Sequence, residues 1–182
     1  MAEIRKFRPV LRVMAIASRH AQAFDWAAAK AAEHWGPVEF SSERFDFSET
    51  SFYTKTMGTG LQKQLLAFTD LIQQDKIVES KHDSNAWEDE FKALQPWEES
   101  RPINLDPGYI TEAKLVLATT KDRDHRIYLR NGIFAEVTLF YQGLRWQSSR
   151  WTYPDYKRDD FHEFFERCRL WLRERYAALA DG

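Results

Sequence analysis

The sequence is poor in cysteine, glycine and proline and has no long apolar segment. Cys168 is the only cysteine in 182 residues, which excludes an internal disulfide and is typical of a reducing compartment. Seven glycines and six prolines exclude a collagen-like or low-complexity chain. The apolar run 10–17 is broken by Arg12 and is too short for a membrane span or a signal peptide. We therefore expect a cytoplasmic protein without a membrane segment.

An excess of one charge is lacking too, as are the familiar catalytic motifs. The 26 basic and 28 acidic residues give a net charge of −2, which provides no overall attraction to nucleic acid or anionic membranes. The histidines and the cysteine lack zinc-ligand spacing, so we assign no metal-binding residues, and Asp106 with Asp155 stays an alternative for a hard metal such as Mg²⁺. Residues 58–63 (GTGLQK) do not match a phosphate-binding loop, and no Gly-x-Ser-x-Gly elbow supports a serine hydrolase. The sequence leaves the cofactor unknown.

Aromatic residues are abundant and can supply a core. They make up 15% of the chain and include seven tryptophans, and each ring can bury about 150–250 Å². The length suits one domain, which we assign to residues 1–182. Strands are predicted over 10–17, 38–47 and 61–72, and long helices over 24–35 and 159–180. We predict an α+β fold: a mainly antiparallel sheet of about five or six strands with helices packed on it. A ferredoxin-like core with an added β-hairpin is one such arrangement.

Turn and cap signals divide the middle of the chain. Asn85 followed by Glu88 has the spacing of a capping box, which predicts a helix that begins at Asn85. Residues 73–78 would then form a separate short helix. Residues 106–109 (DPGY) predict a turn, because proline and glycine favour turn positions. Residues 111–118 predict a short helix that Thr111 would cap.

The clearest local signal is a β-hairpin centred on Asn131-Gly132, a pair that favours a type I′ turn. The resulting register would pair Arg130 with Ile133, Tyr128 with Ala135, Ile127 with Glu136, and His125 with Thr138. Both faces of this hairpin are largely apolar, so we expect both to be covered. His125 and Glu136 would share one face, one diagonal apart and within reach of each other.

Residues 104–156 predict a pocket for a small anionic ligand or nucleotide. Arg126 and Lys114 suit a phosphate or carboxylate, and arginine can bind either through its bidentate fork. His125 is the predicted acid/base catalyst, tuned by Glu136, although a structural ion pair explains the same pattern. Whether the protein is an enzyme is open. The predicted ligand-binding residues are Asp106, Tyr109, Lys114, Arg126, Tyr128, Tyr153, Asp155 and Tyr156.

An alternative hypothesis is a non-enzymatic RNA- or protein-interaction module that uses a basic and aromatic surface of residues 121–158. Its basic residues are Lys121, Arg123, Arg126, Arg130, Arg145, Arg150, Lys157 and Arg158, and its aromatic residues are Trp146, Trp151, Tyr153 and Tyr156. Such a composition is typical of surfaces that stack single-stranded nucleic acid. A solvated basic rim balanced by nearby acids has the same composition. The sequence predicts no oligomeric state.

Several stretches together resemble an uncharacterised family of bacterial proteins. They are residues 104–109 (NLDPGY), 113–118 (AKLVLA), 125–129 (HRIYL), 132–139 (GIFAEVTL) and 152–156 (TYPDY). The resemblance extends to residues 57–61 and to Asn85 with Glu88, so it covers nearly the whole chain. That family is classed as a domain of unknown function. Some members carry a GTP-binding label, but this chain lacks the Walker A loop of a standard GTPase. The resemblance therefore implies positions to test and no reaction.

Overall fold

The computed structural model describes residues 7–47 and 54–180. Its strands are β1 (Val10–Ser18), β2 (Val38–Ser41), β3 (Phe45–Asp46), β4 (Gln62–Ile72), β5 (Asn104–Ile110), β6 (Lys114–Thr119), β7 (Ile127–Arg130), β8 (Ile133–Gln142) and β9 (Arg145–Ser148). Its α-helices are α1 (Ala21–Trp35), α2 (Thr54–Met57), α3 (Ile77–Ala93) and α4 (Asp159–Ala180). Short 3-10 helices cover Gln74–Lys76 and Pro154–Lys157.

All strand pairs in the described residues are antiparallel and belong to one sheet, in the order β2-β4-β1-β5-β6-β8-β7. β3 pairs with β4 and β9 pairs with β8, so nine strands within residues 7–47 and 54–180 take part rather than the predicted five or six. The predicted α+β class, an antiparallel sheet with helices packed on it, is confirmed. The ferredoxin-like core stays a prediction. Within the described ranges, no helix is long and apolar enough to cross a bilayer.

β1 lies between β4 and β5, as predicted for a central strand, and both of its faces are covered. Leu11, Val13 and Ala15 pack in one cluster with α4. Met14 and Ile16 pack in another with α1 and α3. Because successive side chains of a strand point to opposite faces, this alternation produces three layers, with the sheet in the middle.

The long helices agree with the sequence prediction. α1 buries Ala23, Phe24, Ala27, Ala31 and Trp35, which recur at helical spacing along one face. α4 spans the predicted residues and begins with Asp159 and Asp160, which suit the positive end of its dipole. The predicted strand 61–72 is confirmed as β4, whereas the predicted strand 38–47 is divided into β2 and β3.

The predicted helix start at Asn85 is wrong. α3 runs without a break from Ile77 to Ala93, so Asn85 lies inside it. The Glu88 side chain does not return to the backbone of Asn85. It accepts hydrogen bonds from Arg101 and from the backbone N–H of Leu105. A capping-box pattern is local, and here tertiary partners compete for the same carboxylate.

The predicted turn at residues 106–109 and the predicted helix at residues 111–118 are wrong as well. Residues 106–109 lie in β5, and residues 114–118 lie in β6. Pro107 fits a strand here because β6 pairs with β5 only from Gly108 onward, so its missing N–H costs no ladder hydrogen bond. Gly108 fits because a Cβ at this position would lie 2.3 Å from the carbonyl oxygen of Val116. Thr111 caps a tight turn between the two strands, accepting the N–H of Lys114.

The hairpin forms, but its register differs from the prediction. Asn131 and Gly132 have φ of 52° and 76°, as a type I′ turn requires, and Arg130 pairs with Ile133. A bulge between Tyr128 and Arg130 then shifts the register, so the predicted pairs beyond it are wrong. Full coverage of the hairpin is also wrong, because β7 is the last strand of the sheet and is exposed along its length.

Candidate functional site

The candidate site lies at the end of the sheet where β5 and β6 separate. β6 pairs only with Gly108, Tyr109 and Ile110, so residues 104–107 have β1 on one side and no described strand on the other. A cavity of about 360 Å³ opens at this gap. Small-molecule sites commonly measure about 300–1,000 Å³. The cavity is walled by β5, the end of β6, the loop that follows it, α3 and the turn around residues 153–156.

Side chains of α3 replace the missing strand beside β5. Lys81 donates a hydrogen bond to the carbonyl oxygen of Leu105 at 2.8 Å, and Glu88 accepts the Leu105 N–H at 2.7 Å. Burial raises the pKa of the Glu88 carboxyl, although the charge of Arg101 opposes this. Glu88 in turn binds the Arg101 guanidinium at 2.8 Å and holds it at the cavity wall. Polar side chains of α3 thus satisfy backbone groups of β5 on the side where no described strand pairs with it.

Asp106 presents a carboxylate to the cavity. Its side chain is 29% exposed, whereas that of neighbouring Lys81 is 5% exposed. Asn104 Nδ2 lies 2.6 Å from one Asp106 oxygen, and Lys81 Nζ lies 3.5 Å from the other. Burial opposes the ionisation of Asp106, but the positive charges of Lys81 and Lys63 outweigh it and lower the carboxyl pKa. Asp106 is therefore held as a carboxylate.

Lys63 and Asp155 form a buried ion pair at the floor of the cavity. Their side chains are 6% and 3% exposed. The Lys63 ammonium also lies 4.1 Å from the centre of the Phe47 ring and 5.2 Å from that of Tyr156. Aromatic faces attract a desolvated cation, so these rings help to hold the Lys63 ammonium in place. The pair ties β4 to the turn that follows β9.

Glu136 organises the opposite wall. It is buried, and its Oε2 accepts a hydrogen bond from Arg126 Nε at 2.7 Å. The Arg126 guanidinium also donates to the Tyr153 hydroxyl and to the backbone oxygen of Lys121, at 2.8 and 2.9 Å. Burial disfavours the charged form of Arg126, but the hydrogen bond and negative charge of Glu136 have the larger combined effect and raise the pKa of the guanidinium. Burial and Glu136 raise the pKa of Tyr153.

His125 completes this wall. Its Nε2 lies 3.3 Å from Glu136 Oε2, and its Nδ1 lies 3.0 Å from Asp124 Oδ1. The ring stacks on Trp151 with 5.3 Å between centroids. The expected approach of His125 to Glu136 is therefore present despite the altered register. Because both ring nitrogens face carboxylates of the protein, the arrangement suits a positioning role, and the catalytic role of the two residues stays a prediction.

The mouth of the cavity carries exposed cations. Lys121 and Arg123 lie in the loop after β6 and line the opening. Burial, together with the positive charges of Arg101, Arg126 and Arg123, lowers the pKa of the Lys121 ammonium. The cations at the mouth favour the entry of an anion.

Most of the predicted site residues come together. The cavity is lined by Asp106, His125, Arg126, Glu136, Tyr153, Asp155 and Tyr156. Three predicted residues are not among its lining. Tyr109 points its hydroxyl toward Gln74, Lys114 stands at the far end of β6, and Tyr128 is exposed on β7. Spacing along the chain does not reveal these positions, because it does not show which end of a strand faces the site.

Sequence reasoning missed several lining residues, of which Lys63, Lys81 and Arg101 carry charge. A signal exists for two of them. Lys63 interrupts the apolar alternation of Leu61 and Leu65, and Lys81 lies on the stripe of α3 that buries Ile77 and Val78. A lysine on an apolar stripe predicts a buried, paired cation, because an unpaired one would be costly.

The basic and aromatic surface of residues 121–158 is not continuous. Trp146 and Tyr156 are buried. Arg130, Arg150 and Arg158 each pair with a carboxylate, as Arg126 does. Two of the four candidate stacking rings are therefore turned inward. In the part of the chain that the structure describes, no cluster of histidine, cysteine and carboxylate side chains could hold a metal ion.

Comparison with known proteins identifies the family. A model described as "Domain of unknown function (DUF4416)" matches residues 8–172. The comparisons with curated proteins and with solved structures give no match. The matched segment covers most of the 182 residues and agrees with the resemblance that the motifs indicated. The chain therefore belongs to the DUF4416 family, a domain of unknown function.

Proposed function

We propose that the cavity between β5 and β6 binds a small anionic ligand, a class that includes nucleotides. The supporting observation is its charge: among the described residues, six cationic side chains and three carboxylates line the cavity, whereas the whole chain carries a net charge of −2. The cations are Lys63, Lys81, Arg101, Lys121, Arg123 and Arg126, and the carboxylates are Asp106, Glu136 and Asp155. A concave site with an excess of one charge concentrates ligands of the opposite charge.

The charges are also arranged in a way that suits binding. The inner cations are held in ion pairs, as in Lys63 with Asp155 and Arg126 with Glu136. These pairs fix the shape of the cavity before a ligand enters, which reduces the entropy cost of binding. Lys121 and Arg123, whose side chains are exposed, add positive charge at the mouth.

Calorimetric titration with inorganic phosphate, citrate and AMP tests the proposal. The informative variant is Lys121→Gln/Arg123→Gln, because both side chains are exposed and the fold should tolerate the change. Arg126→Ala is a poor choice, since it would leave Glu136 buried without its cation. Arg145→Gln is the matched control, because Arg145 is an exposed cation of β9 that does not line the cavity.

We expect the wild type to bind at least one of these anions. The double variant should lose about tenfold or more in affinity, as expected for hydrogen bonds to charged groups, and the control should bind normally. Absence of binding by the wild type refutes the proposal. Retention of RNA that falls steeply with salt, and that Arg145→Gln also weakens, would favour the interaction-module alternative. A cytoplasmic location belongs to the proposal and is supported by the single cysteine.

A further inference from the structure

We infer that the anionic ligand is a small phosphorylated sugar or another phosphorylated polyol, with its phosphate at the mouth of the cavity and its hydroxyls beside Asp106. The inference rests on the proposed function and specifies the class of ligand. It depends on the contrast between the mouth, where exposed cations lie, and the interior near β5, where hydrogen-bonding groups lie.

The interior presents a carboxylate and side-chain amides. Asp106, Asn104 and Asn85 all line the cavity, and they come from β5 and α3. An ionised carboxylate is an acceptor with about four lone-pair sites. Hydrogen bonds from Asn104 and Lys81 to Asp106 occupy two of these, one on each oxygen. The exposed part of Asp106 can therefore accept hydrogen bonds from a ligand, and it repels a second anionic group.

Donors on the ligand could be hydroxyls or an ammonium group, and the surroundings favour hydroxyls. Lys81 lies 3.5 Å from Asp106, and the buried ammonium of Lys63 also acts on this carboxylate. A ligand ammonium placed here would be repelled by both lysines. A neutral hydroxyl is not repelled, and it can also exchange hydrogen bonds with the amides of Asn85 and Asn104.

The mouth suits a phosphate. Lys121 and Arg123 are exposed side chains of the loop after β6, and both line the opening. Two neighbouring cations attract a dianion more strongly than a single carboxylate, and a phosphate monoester carries about −1.5 to −2 at pH 7. Arginine in addition matches phosphate oxygens in a bidentate manner.

Among the described residues, two of the three phenylalanine and tyrosine rings that line the cavity present no platform for a nucleobase. Phe47 and Tyr156 line the cavity but are 7% and 2% exposed, and both rings face the Lys63 ammonium. Tyr153 is 42% exposed, but its hydroxyl is held by Arg126. The recognised part of the ligand is therefore the phosphate and its polyol.

Titration with ribose 5-phosphate, inorganic phosphate, ribose and AMP tests the inference. We expect ribose 5-phosphate to bind the wild type about tenfold or more tightly than inorganic phosphate, since hydrogen bonds to a charged group are strong. Asp106→Asn should abolish that preference while inorganic phosphate binds equally well or better, because a negative charge is removed. Asn85→Ala provides a second variant that α3 should tolerate, since alanine favours helices, and it should weaken only ribose 5-phosphate. Arg145→Gln again serves as the control.

The outcomes separate the inference from the proposed function. Equal affinity for ribose 5-phosphate and inorganic phosphate would overturn the polyol assignment and leave anion binding intact. AMP binding tenfold or more tightly than ribose 5-phosphate would also overturn it, because the base would then be recognised. If citrate binds in the titration of the proposed function but ribose 5-phosphate, inorganic phosphate and AMP do not bind, the phosphorylated-polyol inference is overturned and anion binding stands. If no anion binds, the proposed function fails as well.

Discussion

Removal of either member of the Lys63–Asp155 pair should destabilise the fold more than removal of both. The two side chains are 6% and 3% exposed, so this is a buried ion pair. Loss of one partner leaves a buried charge without compensation, which costs about 3–5 kcal/mol. Replacement of both charges by apolar groups removes that penalty, and such replacements are often neutral or stabilising. We expect Lys63→Met and Asp155→Ala each to cost about 3–5 kcal/mol, and the double variant to cost less than either.

Urea unfolding followed by tryptophan fluorescence measures these free energies. The Arg130–Glu79 pair provides a matched control, because its side chains are 44% and 47% exposed. Arg130→Met and Glu79→Ala should each cost less than about 1 kcal/mol, as is usual for exposed pairs. The reasoning is refuted if Lys63→Met costs no more than Arg130→Met, or if the cost of the double variant equals the sum of the single costs.

Three further predictions concern other parts of the fold. Gly108→Ala should lower the free energy of unfolding by about 1–3 kcal/mol, because the new Cβ would lie 2.3 Å from the Val116 carbonyl oxygen. An unchanged urea midpoint would show that β5 and β6 lie farther apart than described. Cys168 is fully buried and burial raises its thiol pKa, so a thiol reagent should react with it only after unfolding; rapid reaction of the native protein would contradict this. Burial raises the pKa of Glu88 in the folded protein above its value in the unfolded chain. The wild type should therefore lose stability as the pH rises from the usual carboxyl pKa through the raised one, because the unfolded chain loses this proton at a lower pH. Glu88→Gln should lack that loss, and urea midpoints between roughly pH 4 and 7 would test it.

Local patterns predicted the elements whose signals come from neighbouring residues. The apolar stripes of α1 and α4 required only helical spacing, and Asn131-Gly132 required only the φ angles of its turn. The same reasoning predicted that His125 and Glu136 would meet, because the turn folds the segment before β7 back beside β8. It could not predict the bulge in β7, which changes the pairing without changing the turn.

Tertiary structure alone decided the state of residues 104–109 and the position of the site. Asp-Pro-Gly forms a turn in isolation, but in this fold β1 pairs along the whole of β5, and β6 pairs only with its last three residues. The sequence by itself determined that the chain is an α+β domain, and it identified residues 104–156 as the segment to test for a site. Only the folded chain brings Lys63, Lys81 and Arg101 to the cavity. Lys81 satisfies a backbone carbonyl that the gap beside β5 exposes, whereas Lys63 and Arg101 pair with the carboxylates of Asp155 and Glu88, which are distant in sequence.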